Sequence, residues 1–212
     1  MKKSAQKGII DPKIIIGGIV ILVVIFFVTT GNFKFSASKD KTSQQSVETK
    51  QPTSAPQPKP KTYQNETNGF SLEYPENWII KENPSKEYVA AFYSPKENSS
   101  DDYTEFLGIK VIDTSSKPNT TLLELADLWE NQTRDASKED AFKVLERKSS
   151  TVGSVDARDI EYSAKFEDED MKGVVRITLN ADKAYIFQYN ARANAYDKFL
   201  PDIEAILASV KF

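Results

Sequence analysis

Asn68-Gly69-Phe70-Ser71-Leu72-Glu73-Tyr74-Pro75-Glu76-Asn77-Trp78 is the stretch on which the fold of this 212-residue chain turns. An Asn-Gly pair between two short extended runs is the strongest short-range signal for a hairpin. The runs here are Tyr63–Glu66 and Phe70–Tyr74. Phe70, Leu72 and Tyr74 alternate with Ser71 and Glu73, the two-residue period of a strand with one buried face. Pro75-Glu76-Asn77 stops that strand, and Trp78 to Lys81 begins another.

Working outward towards the C-terminus, Tyr88–Tyr93 and Phe106–Ile112 read as two further strands, joined by the polar loop Ser94–Glu105. The period then changes. Thr121 and Glu124 form a Ser/Thr-x-x-Glu capping box, and Leu122, Leu125, Ala126, Leu128 and Trp129 recur at helical spacing. A helix of about thirteen residues, its apolar stripe covering a sheet, is expected here. An antiparallel meander follows: Lys143–Thr151, a turn at Gly153, Val155–Phe166, an acidic turn at Glu167–Asp170, Val174–Leu179, a turn at Asn180–Asp182 and Tyr185–Tyr189. The last element is helical, with Asn194 expected to cap its start and Pro201 to open a second segment. Its apolar face is Phe199, Ile203, Ile206, Leu207 and Val210. Strands with segregated helices define an α+β domain over 62–212. No internal repeat is present.

Working outward towards the N-terminus, residues 32–61 are rich in Ser, Thr, Gln, Lys and Pro and hold too little apolar surface to offset chain entropy, so a disordered linker is expected. Pro52, Pro56, Pro58 and Pro60 stiffen its distal end. Before it, Ile14–Thr30 runs seventeen residues without a charge. That meets the lower length for a membrane span, placed at 14–31, making the lipid bilayer a partner. The basic tail 1–13 carries Lys2, Lys3, Lys7 and Lys13 against Asp11, so the positive-inside rule puts the N-terminus in the cytoplasm and the C-terminal domain outside. The competing reading is a cleaved signal peptide, for which Thr29-Thr30-Gly31 is a poor cleavage site. The absence of cysteine excludes a lipoprotein.

Charge divides the chain in the same places. Residues 1–31 carry net +3, residues 32–61 net +4 and residues 62–212 net −10. A domain so acidic repels phosphate backbones, so no nucleic-acid partner is expected. Without cysteine the domain cannot draw stability from disulfides, and about 150 residues suffice for a core of their own.

Asn68 through Trp78 resembles the opening signature of PsbP-like domains, and Lys198-Phe199-Leu200-Pro201 through Ile206 to Ser209-Val210-Lys211-Phe212 resembles that family's last helix and strand-like tail. The resemblance covers 62–212. It implies an α/β/α sandwich around a central antiparallel sheet of about six strands. It also implies work by docking, because the family's photosystem II subunit and a Ran-binding import factor of the same fold both act on protein partners. The photosynthetic member's role in retaining ions is not carried over, since this chain has no histidine.

Chemistry is scarce in the residues themselves. The absence of His and Cys removes Ser-His-Asp arrangements, thiolate chemistry and most zinc sites. No phosphate-cradling loop occurs, because Gly17-Gly18 lies within the span. No catalytic, cofactor or metal residue is therefore expected, and no cofactor. Glu167-Asp168-Glu169-Asp170 and Asp101-Asp102 offer oxygen ligands without the spacing of a calcium loop and read as solvated turns. Glu73 and Glu76 are one carboxylate pair among many. Phe70, Tyr74, Trp78, Trp129, Tyr185, Phe187 and Tyr189 follow strand or helix periods and read as core. Tyr103 stands in a polar loop and is the candidate partner contact. Sequons occur at Asn65, Asn98, Asn119 and Asn131, all on the expected outer side. The reading that results is a membrane-anchored extracytoplasmic module, not an enzyme, docking to a protein or envelope component. The alternatives are a solute- or ion-binding domain with a groove between sheet and helix, and a carboxylate-dependent hydrolase with two acids lining one cleft.

Overall fold

The computed structural model describes residues 59–99, 101, 103–137, 141–166 and 169–212. The expected tail 1–13, span 14–31 and all but the last three residues of the linker lie outside them. Among the described residues no helix is long and apolar enough to cross a membrane.

The chain runs β1 (Lys61–Asn65), β2 (Phe70–Tyr74), β3 (Ile79–Glu82), β4 (Ala90–Tyr93), β5 (Phe106–Asp113), α1 (Leu122–Ala136), β6 (Phe142–Val152), β7 (Val155–Phe166), β8 (Glu169–Asn180), β9 (Lys183–Arg192) and α2 (Tyr196–Ala208). β1 and β2 form the expected hairpin, in which a four-residue connection joins Asn65 to its partner Phe70 and Gly69 takes the left-handed conformation at φ 74°. The other strands form one antiparallel sheet of seven, in the order β3-β4-β5-β9-β8-β7-β6. The expected number of about six is corrected to seven, with the hairpin as a separate sheet. The hairpin packs flat instead of pairing at an edge because its buried side chains Tyr63, Phe70 and Tyr74 meet Phe92 and Tyr185 ring to ring, at 5.1–5.9 Å.

Strand β9 is central and buried on both faces. Tyr185, Phe187 and Tyr189 join a core with the hairpin and α2. Ala184 and Ile186 join a second core with Leu125, Ala126 and Trp129 of α1. Each face of the sheet thus carries one helix. α1 begins as its sequence dictates: the Thr121 N–H donates to the Glu124 carboxylate at 2.8 Å, and the Glu124 N–H donates to Thr121 Oγ1 at 3.2 Å. Leu128, assigned to the buried stripe, is instead 38% exposed, and Thr133 takes a buried place further along, its hydroxyl donating to the Trp129 carbonyl.

α2 differs from expectation at its start. Asn194 does not cap it. Ala195 holds that position, its N–H donating to the Arg192 carbonyl, and the helix runs unbroken through Pro201. Pro201 is exposed and near the first turn, so it forfeits one amide bond while Tyr196, Phe199 and Ile203 hold the buried side. The tail then pairs with β2 through Lys211 and Ser71, whose backbones exchange two 2.9 Å hydrogen bonds.

Candidate functional site

α1 covers only part of its face. Its buried side chains lie over β6, β7, β8 and the near end of β9. From Tyr162, which packs under Trp129 of α1, a row of cross-strand partners, Gly173, Asn190, Phe106 and Tyr93, runs out across the sheet beyond the helix. Rings fill the gap. Gly108 leaves no room for a Cβ because the Tyr88 ring would lie 2.5 Å from it, and Gly173 is closed in the same way by Tyr162 and by the Tyr189 carbonyl. The hydroxyls resting on the sheet are joined by amides. Tyr88 donates to Gln188 Oε1 at 3.1 Å, Gln188 Nε2 donates to the Tyr162 oxygen at 3.1 Å, and Tyr162 donates to Asn190. Burial is the main force that raises the Tyr88 and Tyr162 hydroxyls well above the ordinary phenol range. Nothing in the sequence marks this network, because Tyr88 lies outside β4 and the amides sit in the middle of an apolar strand.

At the end of that row, the β4–β5 loop faces the entry to α2. Ser94 and Glu105 close the base of the loop: the Ser94 hydroxyl donates to the Glu105 carboxylate at 2.8 Å and accepts its N–H at 3.0 Å. Asp101 organises the tip, accepting the N–H groups of Glu97 at 2.9 Å and Tyr103 at 3.2 Å. Lys198 of α2 reaches back to Glu97 at 2.8 Å. Between loop and helix lies a cleft of about 370 Å³, lined by Glu97, Asn98, Asp101, Glu105, Arg192, Asn194, Ala195 and Lys198.

Its electrostatics are mixed. Burial, followed in weight by the opposing Ser94 hydrogen bond, sets the Glu105 carboxyl, and the net result is upward, with Asp101 and Glu97 adding to the rise. Arg192 lies 5.4 Å from the centre of the Tyr103 ring and 3.3 Å from Glu169. Tyr103, the residue singled out from the sequence, is thus half-buried beside the cleft, and burial raises its hydroxyl strongly. Three carboxylates do line one cleft, as hydrolysis would require. Each is already committed, to Lys198, to backbone amides or to Ser94, and Glu105 is only 3% exposed. The arrangement offers ion pairs and hydrogen bonds rather than a free acid and base.

The other residues singled out lie elsewhere. Glu73 and Glu76 are exposed on and after the hairpin, and the Glu76 carbonyl accepts from Lys61 Nζ at 3.0 Å. Two residues of the expected acidic turn, Glu169 and Asp170, belong instead to β8, with Arg192 and Lys165 beside them, while Asp102, Glu167 and Asp168 lie outside the described residues. Among the described residues no group of three or more acids is placed to hold a metal ion. Of the sequons, Asn98, Asn119 and Asn131 are exposed, whereas the Asn65 side chain is spent in its turn, accepting from the Asn68 amides at 3.0 Å. A further cluster, unforeseen from the sequence, ties α2 to the sheet. Arg176 on β8 donates to both oxygens of the buried Asp159 at 2.7 Å and to Glu204 of α2 at 3.0 Å, so its guanidinium is held charged.

A large antiparallel sheet with helices on its faces and a hairpin-and-tail closure defines an α+β scaffold rather than any one activity. The chain belongs to the family of PsbP-like proteins, whose model matches residues 16–212. Among solved structures, the fold is similar to that of cyanobacterial PsbP (CyanoP) from Synechocystis sp. PCC 6803, with a TM-score of 0.54 at 15% identity over 72% of this chain and 91% of that one. LpqN of Mycobacterium tuberculosis, described as involved in cell envelope biogenesis, matches with a TM-score of 0.47 at 11% identity over 75% and 86%. No curated protein matches in sequence.

Proposed function

We propose that this chain is a single-pass membrane protein, anchored through 14–31 with its N-terminus in the cytoplasm, whose PsbP-like domain docks outside the membrane to a protein or envelope component without catalysing a reaction. The observation that carries the docking reading is the rim of the cleft. Asn98, Asn194 and Lys198 are exposed there, Asn98 on a loop tied by the hydrogen bonds of Ser94, Asp101 and Glu105, beside a half-buried tyrosine and an arginine. The anchor reading rests on the uncharged run and its lysine flank.

Two measurements test these parts separately. Protease added to intact cells should digest 62–212 and spare the N-terminal tail, and a protected domain would refute the orientation. A photocrosslinking residue at Asn98 or Tyr103 of the full chain should give a discrete, stoichiometric adduct in cells, whereas one at Glu146, on the far edge of the sheet, should not. Equal labelling from both sides, or none from the cleft, would sink the docking site. The 370 Å³ volume of the cleft also favours a second reading, a polar solute. In that case the melting temperature of the full chain should rise with small zwitterionic or anionic ligands, and Arg192→Gln should abolish the rise.

A further inference from the structure

Tyr88, Tyr93 and Phe106 belong to neither of the two cores, although their rings meet at 5.9–6.3 Å. Ile79 is the direct cross-strand partner of Tyr93 and is 59% exposed, on the four-residue edge strand β3. Ile79, Tyr93 and Phe106 therefore form an aromatic-aliphatic strip that starts at the sheet edge and has no helix above it. Lys81 stands 5.0 Å from the Tyr93 ring centre and Lys110 5.7 Å from that of Tyr88, bordering the strip with cations.

The described chain begins close to this edge. Lys59 and Pro60 are exposed, and Lys61 at the head of β1 bonds through Nζ to the Glu76 carbonyl, three residues before Ile79. The residues just upstream are Gln51-Pro52-Thr53-Ser54-Ala55-Pro56-Gln57-Pro58, which carry no charge between Lys50 and Lys59. Proline-rich segments favour the polyproline II conformation, whose preset backbone docks on aromatic strips at little further cost in entropy. Eight residues at about 3.1 Å each span about 25 Å, enough to pass round β3.

We propose that residues 51–58 lie on the Ile79–Tyr93–Phe106 strip of the same chain. The tether then leaves the domain from the β3 edge, and the free spacer between domain and anchor shortens to residues 32–50. This goes beyond partner docking at the cleft and does not depend on it.

The chain has no cysteine, so paired labels need no background substitutions. Nitroxides on Ser54→Cys and Glu82→Cys would be placed on the full chain in detergent micelles, and their separation measured by pulsed electron resonance. A single distance is expected, at least about twofold narrower in distribution than a free flexible chain gives. Ile79→Asp, and separately Pro52, Pro56 and Pro58 all changed to Ser, should each restore the broad distribution while the melting temperature of the domain holds. A broad distribution in the doubly labelled parent would overturn the proposal. So would a narrow one unmoved by Ile79→Asp, which would put the tether elsewhere. A narrow one that vanishes on dilution with unlabelled chain would overturn it too, since a second copy would then fill the strip.

Discussion

Over β6, β7 and β8 the sheet is closed by a helix, and over β4, β5 and the far end of β9 it is closed by tyrosines and amides. The first closure is dry. Trp129 packs against Phe142 at 6.1 Å and Tyr162 at 5.2 Å, and Ile160, Val175 and Ile177 beneath are fully buried or nearly so. The second is held by hydrogen bonds among Tyr88, Gln188, Tyr162 and Asn190, and its Tyr88, Tyr93 and Phe106 rings are only partly buried. The covered half supplies stability through area removed from water, while the open half holds its surface in place through polar bonds and leaves it available. Removing a ring should expose the difference. Trp129→Ala should cost about 3–5 kcal/mol, as truncations of buried aromatics do. Tyr93→Ala should cost about 1–2 kcal/mol, because its ring is already half in water. Urea titrations of the two variants check this, and equal costs would mean that the open half is as much a core as the other.

The two tyrosine-closed glycines sharpen the contrast within the open half. A methyl on Gly173 would meet the Tyr162 ring at 2.5 Å and the Tyr189 backbone carbonyl at 2.7 Å, and backbone cannot step aside. For one on Gly108 the three nearest atoms all belong to the Tyr88 ring, a side chain of the β3–β4 connection rather than backbone. Gly173→Ala should therefore lie near the upper end of the about 1–3 kcal/mol cost of overpacking, and Gly108→Ala near the lower. Thermal melts rank them, and Gly108→Ala should in addition bring the Tyr88 hydroxyl back towards an ordinary titration.

The difference between the halves also explains what could be read from the sequence. The hairpin from Lys61 to Tyr74, the capping box at Thr121 and the meander through β9 are written in local spacing, and local spacing survives folding. The buried aromatics Phe70, Trp78, Trp129 and Phe187 followed the same periods. The pairing of β5 with β9, eight register partners from Phe106–Asn190 to Asp113–Lys183, has no local trace. Neither does the Arg176–Asp159–Glu204 cluster, in which one arginine in an apolar strand looks like any solvent-facing charge until its partners arrive. The count of about six came with the family resemblance; the nine extended runs in the sequence divide into seven in the sheet and two in the hairpin packed on it. Asn194 missed as a cap because the backbone of Ala195 closes onto Arg192 first. Of the cleft, only the polar loop and Tyr103 were legible. Its opposite wall comes from β9 and α2, about ninety residues on, and only the fold brings it near.

At the helix, Thr121→Ala removes the acceptor for the Glu124 N–H and one partner of its carboxylate. Loss of about 1 kcal/mol is expected, the usual cost of an N-cap, and it should fall on α1 and the covered half alone. Amide hydrogen exchange would show faster exchange in Leu122–Ala126 with β3 to β5 unchanged. Acceleration across β5 as well would mean that the two halves open together.

The smallest effect belongs to Glu105, on the open side. Burial raises its folded-state carboxyl above the unfolded value, so the folded protein holds that proton more tightly than the unfolded chain does. The sign follows from linkage: the contribution to stability is full below the unfolded pKa and is lost as the pH rises through the folded one. At neutral pH the ionised carboxylate is therefore a cost, relieved only in part by Ser94. Glu105→Gln keeps an oxygen to accept the Ser94 hydroxyl and removes the charge, so it should melt slightly higher than the parent at pH 7 and lose that advantage as the pH falls into the carboxylate range. A melt series from pH 3 to pH 8 reads both arms. A variant that melts lower at pH 7 would mean that the ionised Glu105 is held by a cation of the cleft, Arg192 above all, and that the acidic wall is part of the frame rather than a strain on it.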